Sequence, residues 1–365
     1  MSEPGEVLRA CVAHGLQTAV EQESARDPLE LTPEVISLAA HHKVQGLLWT
    51  AIADGAVTGT EATVGQAREA TVEALRTCLL SEQTAVLALS ALGRAGVEAR
   101  VLKGVAIAHL DHENAAERMF GDADLLIRRG DYHVALAALF DAGFRRSKPP
   151  VRSWWEQRFA KAIVLLAPSG GELDLHLTIT GGYFGEKIDH DRLWSTSSES
   201  FDLAGVEAHG LDPEGRLLHA CCHAVLGGAS GLRVRRDVAQ LVLISNADWE
   251  AAVTHAEHDG AEQVLAEAAR TTWADLRLDP GCGFARWANE LAPDTTQQRA
   301  IASYNDESRG GWGPEGRGTL AALGPTDQIR FLAGLAAPSQ PSRQFRGRTW
   351  TQHLRSGATV IRRRS

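Results

Sequence analysis

The stretch Gly121-Asp122-Ala123-Asp124-Leu125-Leu126-Ile127 decides how this chain is read. Its apolar end predicts a strand anchored in a core, and residues two apart on a strand share a face. Asp122 and Asp124 are therefore expected to project together. Carboxylates held side by side repel unless something positive neutralises them, and a divalent cation is the usual answer. About fifty residues further on, Glu172-Leu173-Asp174-Leu175-His176 alternates polar and apolar positions. That pattern predicts a second strand with Glu172, Asp174 and His176 on one face. Asp174 would complete a three-carboxylate cluster suited to metal-assisted phosphoryl or nucleotidyl transfer. The competing reading is a solvated strand end. Acids are depleted in strand interiors, and the apolar flank argues against a solvated edge.

The chain has 365 residues, a formal charge of −9 and 44% hydrophobic residues. That is enough for a sizeable core and suggests two or three domains. The acidic balance argues against broad binding to a phosphate backbone, so long nucleic acid is not an expected partner. No apolar run reaches the ~18 residues of a membrane-spanning helix. The acidic start Met1-Ser2-Glu3-Pro4-Gly5-Glu6 is unlike a secretory signal, so a cytoplasmic protein without membrane contact is expected. Cys11, Cys78, Cys221, Cys222 and Cys282 lack any CxxC spacing and read as free thiols in a reducing compartment.

Residues 1–95 read as a helical region, with Thr32 before Pro33-Glu34-Val35 as a capped start and Gly96 as a stop. Residues 96–210 read as an α+β core with a small mixed or antiparallel sheet. Within it, Asp131 is the expected cap of a helix ending at Gly143, and Pro168-Ser169-Gly170-Gly171 the loop of a hairpin. Residues 211–304 return to helices, opened by Asp212-Pro213-Glu214 and Asp248-Trp249-Glu250. Residues 305–365 read as irregular, with a basic tail holding seven arginines and no acid from Ser342 onward.

Val101-Leu102-Lys103-Gly104, Arg118 with Gly121-Asp122-Ala123-Asp124-Leu125-Leu126-Ile127, Gly143-Phe144 and Asp174-Leu175-His176 resemble the bacterial "uncharacterised nucleotidyltransferase" family of the polymerase β-like superfamily. The helices carrying His219, His223 and Arg233 through Asp237 are similar to that family's C-terminal region. The resemblance spans roughly residues 35–280. It implies Asp122, Asp124 and Asp174 as metal ligands and catalytic groups for two Mg²⁺ (or Mn²⁺) ions, with Asp174 doubling as general base. An NTP is the implied co-substrate. Its NMP group would pass to an acceptor hydroxyl or phosphate, and pyrophosphate would leave. Lys103, Gly104, Arg118 and Gly121 are the implied nucleotide contacts. The superfamily usually carries Gly-Ser or Gly-Gly before the acids, whereas Val105 follows Gly104 here; Lys103 is placed to compensate with a point charge. The acceptor is a small molecule, a peptide or a protein side chain on this reading. A non-catalytic nucleotide-binding or interaction module derived from the same fold is the alternative.

Other residues admit two readings each. Gly104 serves a strand-to-helix turn or a phosphate approach, and Arg118 a phosphate or a pairing with Asp122. His176 is a ligand or orients Asp174. His219, Cys222 and His223 are one helical turn apart and read as packing residues rather than zinc ligands. Arg233, Arg235 and Arg236 read as a helix start with local ion pairs, or as phosphate contacts. Trp154-Trp155 reads as core packing or base stacking.

Overall fold

The computed structural model describes residues 3–16, 27–228, 231–245, 247–304 and 314–345. Two short strands, β1 (Leu29–Glu30) and β2 (Val57–Thr58), pair in parallel among the N-terminal helices. The main sheet holds β3 (Ala99–Val101), β4 (Ala123–Ile127), β5 (Arg145–Arg146), β6 (Ala162–Leu166), β7 (Glu172–His176), β8 (Glu199–Leu203) and β9 (Val206–Gly210). Their order is β5-β6-β7-β4-β3-β9-β8. β4 runs parallel to β7 and β3 parallel to β9, while the other neighbours are antiparallel. The class is α+β, a mixed sheet flanked by N- and C-terminal helices, as expected from the sequence.

β4 sits mid-sheet and is buried at all five positions. The two-residue period then sorts its side chains. Leu125 and Ile127, with Leu173 and Leu175 of β7, pack toward the 34-residue helix Glu61–Arg94. That helix offers small residues (Ala85, Ala88 and Ala91) where it lies on the sheet. Leu126 faces the other way, into a core shared with Leu217, Val234 and Leu265 of the C-terminal helices. Asp124, Asp174 and His176 share that second face. Alternation alone thus carries two acids and a histidine to the boundary between sheet and helices.

The same second core binds the chain's two ends together. Helix Pro4–Ala13 packs on helices Leu232–Leu243 and Glu262–Leu276. Arg236 donates to the carbonyls of Val12 (2.7 Å) and His14 (2.6 Å). Two buried ion pairs tie the helices to the α+β unit. Arg216 grips Asp111 with two bonds of 2.9 Å, and Arg118 grips Asp237 at 2.6 and 2.7 Å. Among the described residues no helix is long and apolar enough to cross a membrane.

Several local expectations hold. Thr32, Asp212 and Asp248 each cap a helix start, accepting from Val35, Gly215 and Ala251 amides. Gly96 follows the long helix at φ 71°. Two expectations fail, and one hairpin lies where none was expected. Asp131 precedes helix Tyr132–Asp141 without a side-chain cap bond. The β8–β9 hairpin escapes notice because its turn is Ala204-Gly205, with Ala204 at φ 52° instead of the Asn or Asp that signals such turns. The segment after 305 is not irregular: helices Pro314–Ala322, Pro325–Ala336 and Gln340–Phe345 occupy it. Prolines there start helices rather than break them, since the first turn has no amide to lose. Phe331 packs on Trp155 and Phe159, which makes Trp155 a core residue, and its indole donates to the Phe331 carbonyl. The arginine-rich tail lies, beyond residue 345, outside the described residues.

Both side chains of the Arg118–Asp237 pair are 2% exposed. Removing one partner strands the other charge in a dry interior, which costs about 3–5 kcal/mol. Arg118→Ala and Asp237→Asn are each expected to lose that much in denaturant unfolding. The Arg118→Met/Asp237→Leu double variant should lose less than either single change, because it leaves no orphan charge.

Candidate functional site

Parallel pairing sets Asp124 of β4 directly opposite Asp174 of β7, with His176 two residues further along the same face. Asp124 is 2% exposed, and Lys103 Nζ approaches its Oδ1 at 2.5 Å. His176 Nε2 lies 2.8 Å from the same oxygen and 3.4 Å from Lys103 Nζ. The other ring nitrogen of His176, Nδ1, is 3.1 Å from the Thr178 carbonyl. A carbonyl only accepts, so Nδ1 carries the proton, and the neutral ring turns a lone pair on Nε2 toward Asp124. Two acceptors 2.8 Å apart require a positive centre beside them, which the Lys103 ammonium supplies. Asp174 Oδ1 is buried without any hydrogen-bond partner.

Electrostatics follow from that arrangement. Burial alone would raise the Asp124 carboxyl, but Lys103 and His176 outweigh it and hold it well below the usual carboxylate range. Burial alone would lower the Lys103 ammonium; attraction from Asp124 reverses this, and it stays charged. Asp174 has no such partner: burial raises its carboxyl, His176 offsets part of the shift, and Asp124 adds to it. His176 is pushed down by burial and by Lys103, which keeps the ring neutral. The two facing aspartates thus differ in character, one held in the anionic form and one with its carboxyl raised.

Lys103 reaches the cluster by a strained backbone. It has φ 44°, a left-handed conformation unusual for a residue with a Cβ, at the first position of helix Lys103–Leu110. Gly104 follows, and a Cβ there would overlap the Phe120 side chain. Gly104 is required by packing. Phe120 in turn is held by Cys78, whose sulfur accepts from the Phe120 amide and donates to its carbonyl, both at 3.3 Å.

The remaining candidates divide. Asp122 stands one residue before β4, half-buried, outside the tight group formed by Asp124, Asp174 and His176, whose ligand atoms lie within 4.8 Å of one another. Gly121 is open: only Lys43 Nζ and Thr77 Cγ2 approach the place of a Cβ. Arg118 is engaged by Asp237 and the Met119 carbonyl rather than by Asp122. His176 turns its Nε2 to Asp124, not to Asp174 as one reading held. Glu172 is exposed at the strand end. His219 lies against His176 (ring centroids 6.5 Å apart) with its Nε2 buried and unpartnered, so it belongs to the site's wall. Lys43 and Thr178 were missed. Lys43 arrives from a distant helix and Thr178 acts through its backbone, and neither leaves a pattern in the sequence.

The donor set of two carboxylates and an imidazole whose tautomer is fixed from behind fits a divalent metal ion, and the orphaned Asp174 oxygen is the atom such an ion would satisfy.

Acid is expected to loosen this centre through the strand-following loop. The Ile179 amide donates to His190 Nε2 at 3.2 Å, which requires an unprotonated ring, and burial with nearby Arg129 lowers His190 to about 4. The unfolded chain binds that proton from about pH 6.5 downward, so stability is full above that pH and falls as pH drops toward 4. The slope is about 1.4 kcal/mol per pH unit for each such histidine. Melting measured at pH 7, 6 and 5 should show the fall, and His190→Gln should make it shallower.

The profile of a family described as "Uncharacterised nucleotidyltransferase" matches residues 4–273. No curated protein matches the chain.

Proposed function

The chain belongs to the uncharacterised nucleotidyltransferase family, and we propose that it moves an NMP group from an NTP to a hydroxyl or phosphate of a small-molecule, peptide or protein acceptor, releasing pyrophosphate. The observation that carries this reading is the in-register pairing of Asp124 with Asp174 beside the lone pair of His176, with one Asp174 oxygen left unsatisfied. A divalent cation held by these three residues, with Asp122 at the mouth, would supply the Lewis acidity that draws charge from the phosphate and the acceptor oxygen. The imidazole nitrogen suits Mn²⁺ better than Mg²⁺, which asks for oxygen ligands.

The protein's own groups have distinct tasks. Asp174, raised by burial, is suited to accept the proton of the acceptor hydroxyl. Asp124 stays ionised and serves as a ligand. Lys103 sets the orientation of Asp124 and adds positive charge where the reacting phosphate gathers negative charge. The Thr178 carbonyl holds the His176 ring and its tautomer. Gly104, filled in by Phe120, favours the second reading, a non-catalytic nucleotide-binding or interaction module, since the usual phosphate cradle is closed there.

Asp174→Asn separates the two. Its Oδ1 bonds to nothing in the protein, so the variant should melt near the wild type. Under the catalytic reading it should release pyrophosphate from NTP and acceptor at least roughly 10²-fold more slowly and lose Mn²⁺ binding in an EPR titration. Asp124→Asn should also lose stability, because Lys103 becomes a buried unpaired cation. NTP binding by the wild type with no pyrophosphate released to any hydroxyl acceptor would favour the module.

A further inference from the structure

With Gly104 packed against Phe120, another part of the protein must meet the negative charge of a polyphosphate. Two cations stand over the neighbouring backbone. Lys43 Nζ lies 3.7 Å from the place a Cβ would take on Gly121, the residue before Asp122. Lys43 ends helix Pro33–His42 in a left-handed conformation, φ 54°, and its side chain is exposed. Arg233 sits in the first turn of helix Leu232–Leu243, and its Nη1 reaches the Met119 carbonyl at 3.4 Å. The Leu232 amide donates to His42 Nδ1, also at 3.4 Å. Lys43 and Arg233 therefore each adjoin the same inter-helix contact and approach the Met119–Gly121 segment, one at each end.

Arg233 is conspicuous for what it lacks. Its helix neighbours are committed: Arg235 to Asp275 and the Ala224 carbonyl, Arg236 to Gln240 and the carbonyls of Val12 and His14. Arg233 is half-buried, and among the described residues it has that one long hydrogen bond and no carboxylate within ion-pair distance. A partly desolvated cation without a counter-ion marks a place where an anion is missing. Burial and the neighbouring Arg118 lower its pKa to about 10, so it remains cationic. Its closest negative field, besides Asp237, comes from Asp122 and Asp124. His219, 4% exposed with an unpartnered Nε2, stands behind the same acids.

We propose that Lys43 and Arg233 form the seat of the nucleotide's polyphosphate tail, at Gly121 and beside Asp122. This rests on the nucleotidyl-transfer reading and names the side chains that replace the closed cradle. Gly121 leaves the backbone bare for close approach, a guanidinium fork and a point-charge ammonium share the phosphate charge, and the phosphate chain points toward Asp122.

Inorganic tripolyphosphate titrated calorimetrically into the full chain, in EDTA, tests the seat without any metal. The wild type should bind. Lys43→Ala, at an exposed position that leaves the fold intact, should weaken binding at least about tenfold, a loss of about 1.4 kcal/mol, and Lys43→Ala/Arg233→Ala should abolish it. Arg235→Ala, which breaks the bonds to Asp275 and the Ala224 carbonyl, and Asp174→Asn should bind as the wild type does. No binding by the wild type, or wild-type affinity in Lys43→Ala/Arg233→Ala, overturns the proposal. Mn²⁺ titration of the same proteins reads the acid cluster separately. Intact Mn²⁺ binding with a failed seat overturns the seat alone, and an intact seat with no Mn²⁺ binding overturns the metal-site reading alone.

Discussion

A carboxylate in the middle of a buried strand must be neutralised, and Asp124 imposes that demand on everything around it. It is met by the Lys103 ammonium, and bringing that group to bear forces the backbone of Lys103 into a left-handed turn that costs on the order of 1–3 kcal/mol. The surroundings hold the strain in place. Gly104 lets Phe120 close over the turn, Cys78 fixes Phe120 at both amide and carbonyl, and the long helix carrying Cys78 lies across the whole sheet. Removing any of these pieces would free the lysine and leave a bare charge in the core. The centre is therefore preorganised by packing rather than assembled by the arrival of a ligand.

A second constraint couples the two walls of the cleft. The acids stand on the sheet, whereas Arg233, His219 and the unpartnered polar atoms face them from the C-terminal helices. Arg118 and Asp111, both from the α+β unit, are clamped by Asp237 and Arg216 of those helices. Such buried pairs add little net stability over apolar packing, but they tolerate very little displacement, since a small shift leaves two desolvated charges unpaired. Register between the walls follows from that intolerance.

Much of this was legible in the chain, and what was not is instructive. The alternation in Glu172-Leu173-Asp174-Leu175-His176 and the apolar run after Asp124 revealed both central strands and the face their polar residues share, because period two is a local property. Caps at Thr32, Asp212 and Asp248 were readable for the same reason. The first residue of β4 was not: whether Asp122 joins the strand depends on how the segment before it is tied down, Phe120 by Cys78 and Arg118 by Asp237, contacts that span more than forty residues in each case. The partner of Asp124 was equally hidden, since Lys103 reaches it only through an unusual backbone angle. Lys43 beside Arg233 is purely a product of tertiary packing. The late helices were obscured by glycine and proline whose meaning depends on position, as with Gly334, where a Cβ would overlap the Trp155 ring.

The carbonyls of Val12 and His14 wait for Arg236, a partner more than 220 residues downstream. At a synthesis rate of about 5–20 residues per second, the first helix emerges from the ribosome roughly ten to forty-five seconds before that arginine exists. Throughout this interval helix Pro4–Ala13 has helices Pro33–His42 and Gln45–Ala53 to pack on, but the face it turns to Leu232–Leu243 and Glu262–Leu276 has no partner. The nascent chain thus carries a half-covered helix through much of its own translation, which makes the order of synthesis part of how this protein reaches its fold.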